Sequence, residues 1–401
     1  MPDANPATGK KAAKIPFEQV RRFLVDDALP FWSTIGRWPN GCFVEHLDRR
    51  GAPVDPGFSR VRLQARQIYV FSHAQEAGLF ESQALCARSV DFLIRSAWLG
   101  RERGWAKRIS RDGAVIDADW DLYDIAFALF ALAWRYRVTS DRRLLRIALE
   151  TLDFLDAKAR HPLGGFGNDA AFSLPRQQNP HMHLMEAMNA WLEASGEARF
   201  RSVADELFKL LHTKFCDASG ALAEYFNVDL TLLDGPRGEI VEPGHQFEWA
   251  WIIGHYGRLS GQDHREIMRR LIDSGLRHGF DETTGLTIDQ VDRSGKIIAA
   301  GRRLWPQTEA LKAALAGAEF LERPCNERIA KIVDATFARF LRPGPVRGAW
   351  IDHYDADWVP IVDKTPATSF YHVSLAFFEL LRLREKLETV PAVRATAKSL
   401  G

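Results

Sequence analysis

Apolar residues recur at i, i+3 and i+4 along most of this chain, the spacing that lines one face of an α-helix. The pattern predicts about twelve helices and no long strand. They begin near Pro16, Arg60, Glu81, Asp121, Asp141, Pro180, Ala198, Gly244, Asp263, Pro306, Arg323 and Pro366. Proline suits the start of a helix, where its missing N–H has no intrahelical partner to lose. Joints rich in glycine and proline, such as "HPLGGFGND", "LLDGPRGE" and "RPGPVRG", separate the periodic segments.

Two kinds of helix alternate. "RVRLQARQIYVF", "DLYDIAFALFAL", "PHMHLMEAMNAW", "GHQFEWAWIIGH", "PQTEALKAALAG" and "PATSFYHVSLAFF" are apolar on nearly every side, which predicts burial. Those between them, for example "DRRLLRIALETLDFLDAK" and "ARFRSVADELFKLLHTKF", carry one charged face. The buried type returns roughly every 60 residues, the length of a helix pair with its connections. Six such pairs predict an all-α fold, an (α/α)6 barrel with inner helices ringed by outer ones. No linker divides the chain. Residues 16–390 are therefore expected to form one catalytic domain between tails at 1–15 and 391–401.

Composition narrows the partners. A 401-residue chain that is 46% hydrophobic can bury a large core. Its net charge of +1 offers no electrostatic case for nucleic acid. No apolar run reaches the roughly 20 residues of a membrane span, and "MPDANPATGKKAAK" lacks the apolar stretch of a signal peptide. Cys42, Cys86, Cys216 and Cys325 are far apart, so reduced thiols in a soluble cytoplasmic protein are expected.

If the buried helices run parallel, their N-termini open on one end of the barrel. Arg62, Tyr123, His183, His245, Glu248, Glu309 and His372 then gather at one mouth, the natural place for a small-molecule pocket. His245 and Glu248 stand at i, i+3, where a carboxylate can raise the imidazole pKa toward acid–base use. The other reading is a surface ion pair, which the flanking Phe247, Trp249 and Trp251 disfavour. His372 is either a hydrogen-bonded core histidine or, by its repeat position, a member of the same constellation. In "NPHMHLMEAMNAW", Asn179 reads as an N-cap and His183 pairs inward with Glu186. His181 points about 200° away from His183, toward the rim, so the two cannot share a metal. With no H-E-x-x-H pattern, neither a metal nor another cofactor is expected. Arg62, Arg66 and Tyr69 form a stripe that binds an anionic or hydroxylic ligand or caps outer carboxylates. Trp305 and the "WIDHYDADW" loop offer flat faces to a sugar ring, or pack beneath a loop.

"RLQARQIYVF", "DLYDIAFALFAL", "NPHMHLMEAMNAW", "PGHQFEWAWII", "LWPQTEALKAA" and "YHVSLAFFELL" resemble, in order and spacing, the motifs of the N-acylglucosamine 2-epimerase superfamily. The resemblance runs from Arg60 to the last helix and is nearest to the mannose isomerase and sulfoquinovose isomerase branch. It implies an (α/α)6 barrel that isomerises or epimerises a monosaccharide without a required metal. Carried over by motif, His372 would move the proton at C2, and His245, supported by Glu248, would open the ring and act opposite it. His183 and Asn179 would contact hydroxyls near the reacting carbons, and Arg62 would polarise the C1/C2 oxygens. Tyr123, Trp305 and Glu309 would complete the sugar cradle; Arg237 is only an approximate counterpart of a family arginine. The expected reaction is D-mannose to D-fructose, with lyxose to xylulose beside it. A sugar 2-epimerase is the alternative. An (α/α)6 glycosidase using Glu248, Glu309 or Asp121, or a helical-repeat binding scaffold, stands further off.

Overall fold

The computed structural model describes residues 14–389; residues 1–13 and 390–401, which hold most of the two expected tails, lie outside it. Ile15, placed with the N-terminal tail by the sequence, is buried.

α1 (Phe17–Arg22) runs through a π-helical turn, Phe23–Ala28, into α2 (Leu29–Thr34), which makes one outer helix. Then follow α3 (Val61–Glu76), α4 (Gln83–Ala97), α5 (Leu122–Thr139), α6 (Arg142–Phe154), α7 (Gln178–Ser195) and α8 (Ala198–Leu210). The chain continues through α9 (Pro243–Ser260), α10 (Arg265–Gly279), α11 (Leu304–Phe320), α12 (Asn326–Thr336), α13 (Phe370–Arg382) and the short α14 (Arg384–Thr389). Odd-numbered helices from α3 to α13 are the inner ones. Each packs on the next, and α13 packs back on α3, so the inner ring closes. This is the (α/α)6 barrel that the alternation of helix types predicts.

Local chemistry explains the two layers. In α5, thirteen of the eighteen residues are buried, from Leu122 to Arg135, so nearly every face meets protein. Asp121 starts it by accepting from the backbone N–H groups of Tyr123 and Asp124. In α6 burial falls on Leu144, Ile147, Ala148, Thr151 and Leu152, one stripe at helical spacing.

Strands of only two or three residues decorate the loops that lead into the inner helices. One pairing bears on the site: Arg176–Gln177 lies antiparallel to Tyr225–Phe226, which ties the start of α7 to the loop after α8. Two local departures from the sequence reading stand out. π-Helical turns at Leu155–Ala159, Leu211–Phe215 and Phe337–Leu341 end α6, α8 and α12, where the chain turns toward the mouth. The last inner helix starts at Phe370 instead of Pro366, because Thr365–Pro366 is drawn into a strand with His46–Leu47 and a 3-10 turn follows. No helix among the described residues is long and apolar enough to cross a membrane. The four cysteines are buried and unpaired.

Candidate active site

The first turns of the inner helices surround a cavity of about 300 Å³, near the lower limit of small-molecule pockets. His183 from α7, His245 from α9 and His372 from α13 all line it, with Arg66, Tyr123, Asn179, Glu248 and Trp305. Imidazoles separated by up to 189 positions therefore share one chamber, as parallel inner helices require. A larger cavity of about 640 Å³ opens at the opposite end, among the C-terminal turns of the same helices. His372 and His245 do not line it.

Each cavity histidine is backed by a carboxylate. His372 Nδ1 lies 2.7 Å from Glu309 Oε1, His245 Nδ1 2.9 Å from Glu224 Oε1, and His183 Nδ1 3.1 Å from Glu186 Oε2. Such a partner holds the Nδ1 proton and orients the ring, leaving Nε2 for chemistry. The Tyr371 hydroxyl donates to Glu186 at 2.6 Å. Trp305 stands between the other two rings, 4.8 Å from His245 and 5.7 Å from His372 by centroid.

The two flanking imidazoles are polarised in opposite directions. Burial would lower the His245 pKa, but Glu224, Glu242 and Glu248 outweigh it and raise the value to about 9. Burial, joined by the positive field of Arg66 and Lys312, drops His372 well below its ordinary 6.5. Burial also lowers His183. Near neutral pH the cavity thus holds a charged imidazole that can give a proton and a neutral one that can take it.

The structure revises several sequence assignments. Glu248 does not bond His245. One turn deeper on α9, it lies with Oε1 3.8 Å from Lys312 Nζ, and neither oxygen has a hydrogen-bond partner. The carboxylate that holds His245 is Glu224, on the loop tied to α7. Glu309 is no part of a sugar cradle: it is fully buried between His372 and Lys312. Arg62 is turned away from the cavity and chelates Asp124, with Nε–Oδ1 at 3.0 Å and Nη2–Oδ2 at 2.7 Å. Arg66, one turn on, takes its place and donates to the Tyr123 hydroxyl at 2.7 Å. Tyr69 is a core residue bonded to His73.

Asn179 is not the cap of α7. The helix is entered from Gln177, and Asn179 Oδ1 is buried without a partner. The residue lies between the cavity and an adjoining cleft of about 420 Å³ that also contains Arg62 and Arg237. His181 is not at the rim; it is fully buried and accepts from the Phe166 N–H at 3.1 Å. In the "WIDHYDADW" loop, Trp350 stacks on Trp32 and Phe370, Trp358 packs on Tyr354, and Asp352 alone reaches the cavity. Asp121, offered as a glycosidase acid, caps α5.

Sequence reasoning passed over Glu224, Glu242, Arg303, Asp352 and Lys312. For two of them a signal was present. "ALAEYF" and "ALKAAL" each set one charge inside an apolar run, and such a charge needs a buried partner. The donor atoms of Glu248, Glu309 and His372 lie within 4.8 Å of one another, as do those of His183, Glu186 and Glu248. Either set could hold a divalent ion by geometry. Lys312 Nζ, however, stands 2.7 Å from Glu309 Oε2 and 3.8 Å from Glu248 Oε1, a cation already set against two carboxylates of the first set.

An (α/α)6 barrel with carboxylate-backed histidines around one mouth is built for acid–base chemistry on a small molecule. Residues 41–376 match the N-acylglucosamine 2-epimerase (GlcNAc 2-epimerase) family, and the chain belongs to that family. It is 36% identical over 369 residues to a mannose-6-phosphate isomerase from Rhizobium meliloti, an alignment covering 89% of this chain and 95% of the relative. Among solved structures, a cellobiose 2-epimerase from Spirochaeta thermophila superposes with a TM-score of 0.81 at 22% identity, covering 93% of this chain and 97% of that one. A D-mannose isomerase superposes with a TM-score of 0.79 at 18% identity, covering 94% and 100%. At those identities the likeness is one of fold.

Proposed function

We propose that the chain is an aldose–ketose isomerase of unphosphorylated monosaccharides, converting D-mannose to D-fructose and, by the same chemistry, lyxose to xylulose. The observation that carries this reading is the opposite polarisation of His245 and His372 across Trp305 in one cavity. Charged His245 protonates the ring oxygen as its bond to C1 breaks, and takes a proton back from the C1 hydroxyl as the aldehyde forms. Neutral His372 then takes the C2 hydrogen as a proton; the C–H electron pair forms the C1=C2 bond of a cis-enediol(ate) as the C1=O π pair moves onto O1, where His245 supplies a proton. Returning the His372 proton to C1 uses the C1=C2 pair, and the C2 hydroxyl gives its proton back to His245 as C2=O forms, which yields the ketose. Arg66 steadies the developing oxyanion, a role in which one donor is worth about 10²–10³ in rate. Tyr123, Asn179, His183 and Glu248 bind hydroxyls; the last and Asn179 bring buried oxygens that no protein donor satisfies. No metal ion is needed in this scheme, so exhaustive chelation should leave turnover intact.

The charge of the wall supports a neutral sugar, although the Rhizobium meliloti relative is named for a phosphorylated one. Glu224, Glu242, Glu248 and Asp352 all line the cavity. Of its two arginines, Arg303 is paired with Glu242 and Asp289, and Arg66 is engaged with Tyr123 and Thr368. A phosphate dianion would meet four carboxylates against one arginine, Arg66, that lacks a carboxylate partner, and like charges brought together oppose binding.

A 2-epimerase is the second reading. A third carboxylate-backed imidazole, His183, lines the same cavity and could return the proton to the other face of C2. The cleft beyond Asn179 has room for a second sugar. An NMR time course with mannose, mannose 6-phosphate and cellobiose separates these cases. Fructose from mannose alone is the expected result; turnover confined to mannose 6-phosphate would refute the neutral-sugar reading, and glucose without fructose would favour the epimerase.

A further inference from the structure

Lys312 is the least conventional residue of the barrel. Its side chain is fully buried at the third turn of α11, beneath the cavity, and does not line it. A buried ammonium is costly unless paired. Here Nζ lies 2.7 Å from Glu309 Oε2 and 3.8 Å from Glu248 Oε1, while the Trp251 ring closes it from below, 4.4 Å to the centroid. The 2.7 Å contact approaches off the hydrogen-bond direction, so it is an ion pair held by charge. Burial works against the ammonium, but Glu309, Glu248 and Glu186 together raise its pKa above that of an ordinary lysine. The cation is permanent.

Its neighbours are the carboxylates that serve the histidines. Glu309 holds His372, Glu186 holds His183, and Glu248 faces the cavity. Burial and Glu248 work against the charge on Glu309, and Lys312 is the nearest cation that favours it. Without that charge, three buried carboxylates would compete to take up protons from below the site.

We propose that Lys312 is a positioning residue for proton transfer: its ammonium is the built-in cation that keeps Glu309 a hydrogen-bond acceptor and His372 a neutral base. The proposal rests on the acid–base reading above, since only there does the charge of His372 matter to turnover. It assigns to a side chain the electrostatic work that a divalent ion does in other carboxylate–histidine sites.

The groups that face the His372–Glu309 pair are Arg66 from α3, His183 and Glu186 from α7, His245 and Glu248 from α9, and Lys312 from α11. Removing one positive charge from this set must raise the proton affinity of the His372–Glu309 pair. The sign holds whichever of the two takes the proton.

The test is Lys312→Met, which keeps the apolar stem and deletes the charge. Two readouts are followed: the acid limb of kcat/KM against pH, and the titration of the His372 ring by NMR, with His372→Asn providing the assignment. Both should move to higher pH by about one unit, and kcat should fall more than KM changes. If turnover drops while neither the limb nor the ring titration moves, Lys312 is packing alone and the proposal is wrong. If the single variant does not fold, Lys312→Met is made in Glu248→Gln and compared with Glu248→Gln, which removes the same charge with one carboxylate fewer. The ring titration needs no substrate. Should no sugar be turned over by the wild type, the isomerase reading fails, and the shift of His372 still decides the role of Lys312.

Discussion

His245 Nδ1 lies 2.9 Å from Oε1 of Glu224, a residue 21 positions upstream on a separate loop. Gln178 donates to the other oxygen of the same carboxylate at 2.9 Å, and Trp249 donates to Gln178 at 2.6 Å, so α7 and α9 both brace it. The charge on His245 is therefore a property of the assembled barrel.

Glu224→Gln tests this pair. The variant keeps the hydrogen bond and loses the charge that raises His245 to about 9. The alkaline limb of kcat/KM should move from about 9 toward the ordinary 6.5. Stability should follow with a defined sign. Because the folded pKa is raised, the contribution of His245 is complete below 6.5 and is lost as pH rises through about 9. Thermal melts between those values should show that loss in the wild type and little of it in the variant.

At the acid end the expectation is a wide plateau. His372 stays neutral well below 6.5, so kcat/KM should hold nearly constant from neutral pH down past that value before falling. A rate that halves near pH 6.5 would mean an unperturbed imidazole is the base.

The two arginines of α3 should separate cleanly. Arg66→Ala should leave the fold intact and cost about 10²–10³ in kcat, the loss of an oxyanion donor. Arg62→Ala strips the counterion from Asp124, whose side chain is 1% exposed, and should cost about 3 kcal/mol in denaturant unfolding. Comparable kcat losses with unchanged stability in both would return Arg62 to the site.

Two tryptophans make a second contrast. Trp350 is buried in a stack with Trp32 and Phe370, so Trp350→Ala should destabilise by about 3–5 kcal/mol. Trp305 lines the cavity beside His245 and His372, and Trp305→Ala should raise KM for mannose with a much smaller effect on unfolding.

These contrasts mark where the sequence was legible. Helices apolar on every side could only be the inner ring, and their roughly 60-residue return carried the barrel. The gathering of His183, His245 and His372 followed from having their N-termini on one end. Partners were harder. The i, i+3 spacing of His245 and Glu248 is real, but it sets the carboxylate a turn deeper on a tilted face, toward Lys312, while Glu224 comes from a hairpin that periodicity does not see. Arg62 and Arg66 lie one turn apart on α3, and only the position of Asp124 on the neighbouring α5 decides which of them faces the cavity. His181 reads as a rim residue from its angle alone; the outer helices and the loop at Phe166 cover that direction.

The central claim is that His372 carries the hydrogen between C2 and C1, and solvent exchange reports it most directly. Mannose incubated with the enzyme in deuterated buffer should give fructose bearing deuterium at C1 and residual mannose bearing it at C2, and His372→Asn, correctly folded, should abolish both signals. Deuterium entering C2 at an undiminished rate in His372→Asn would contradict the account.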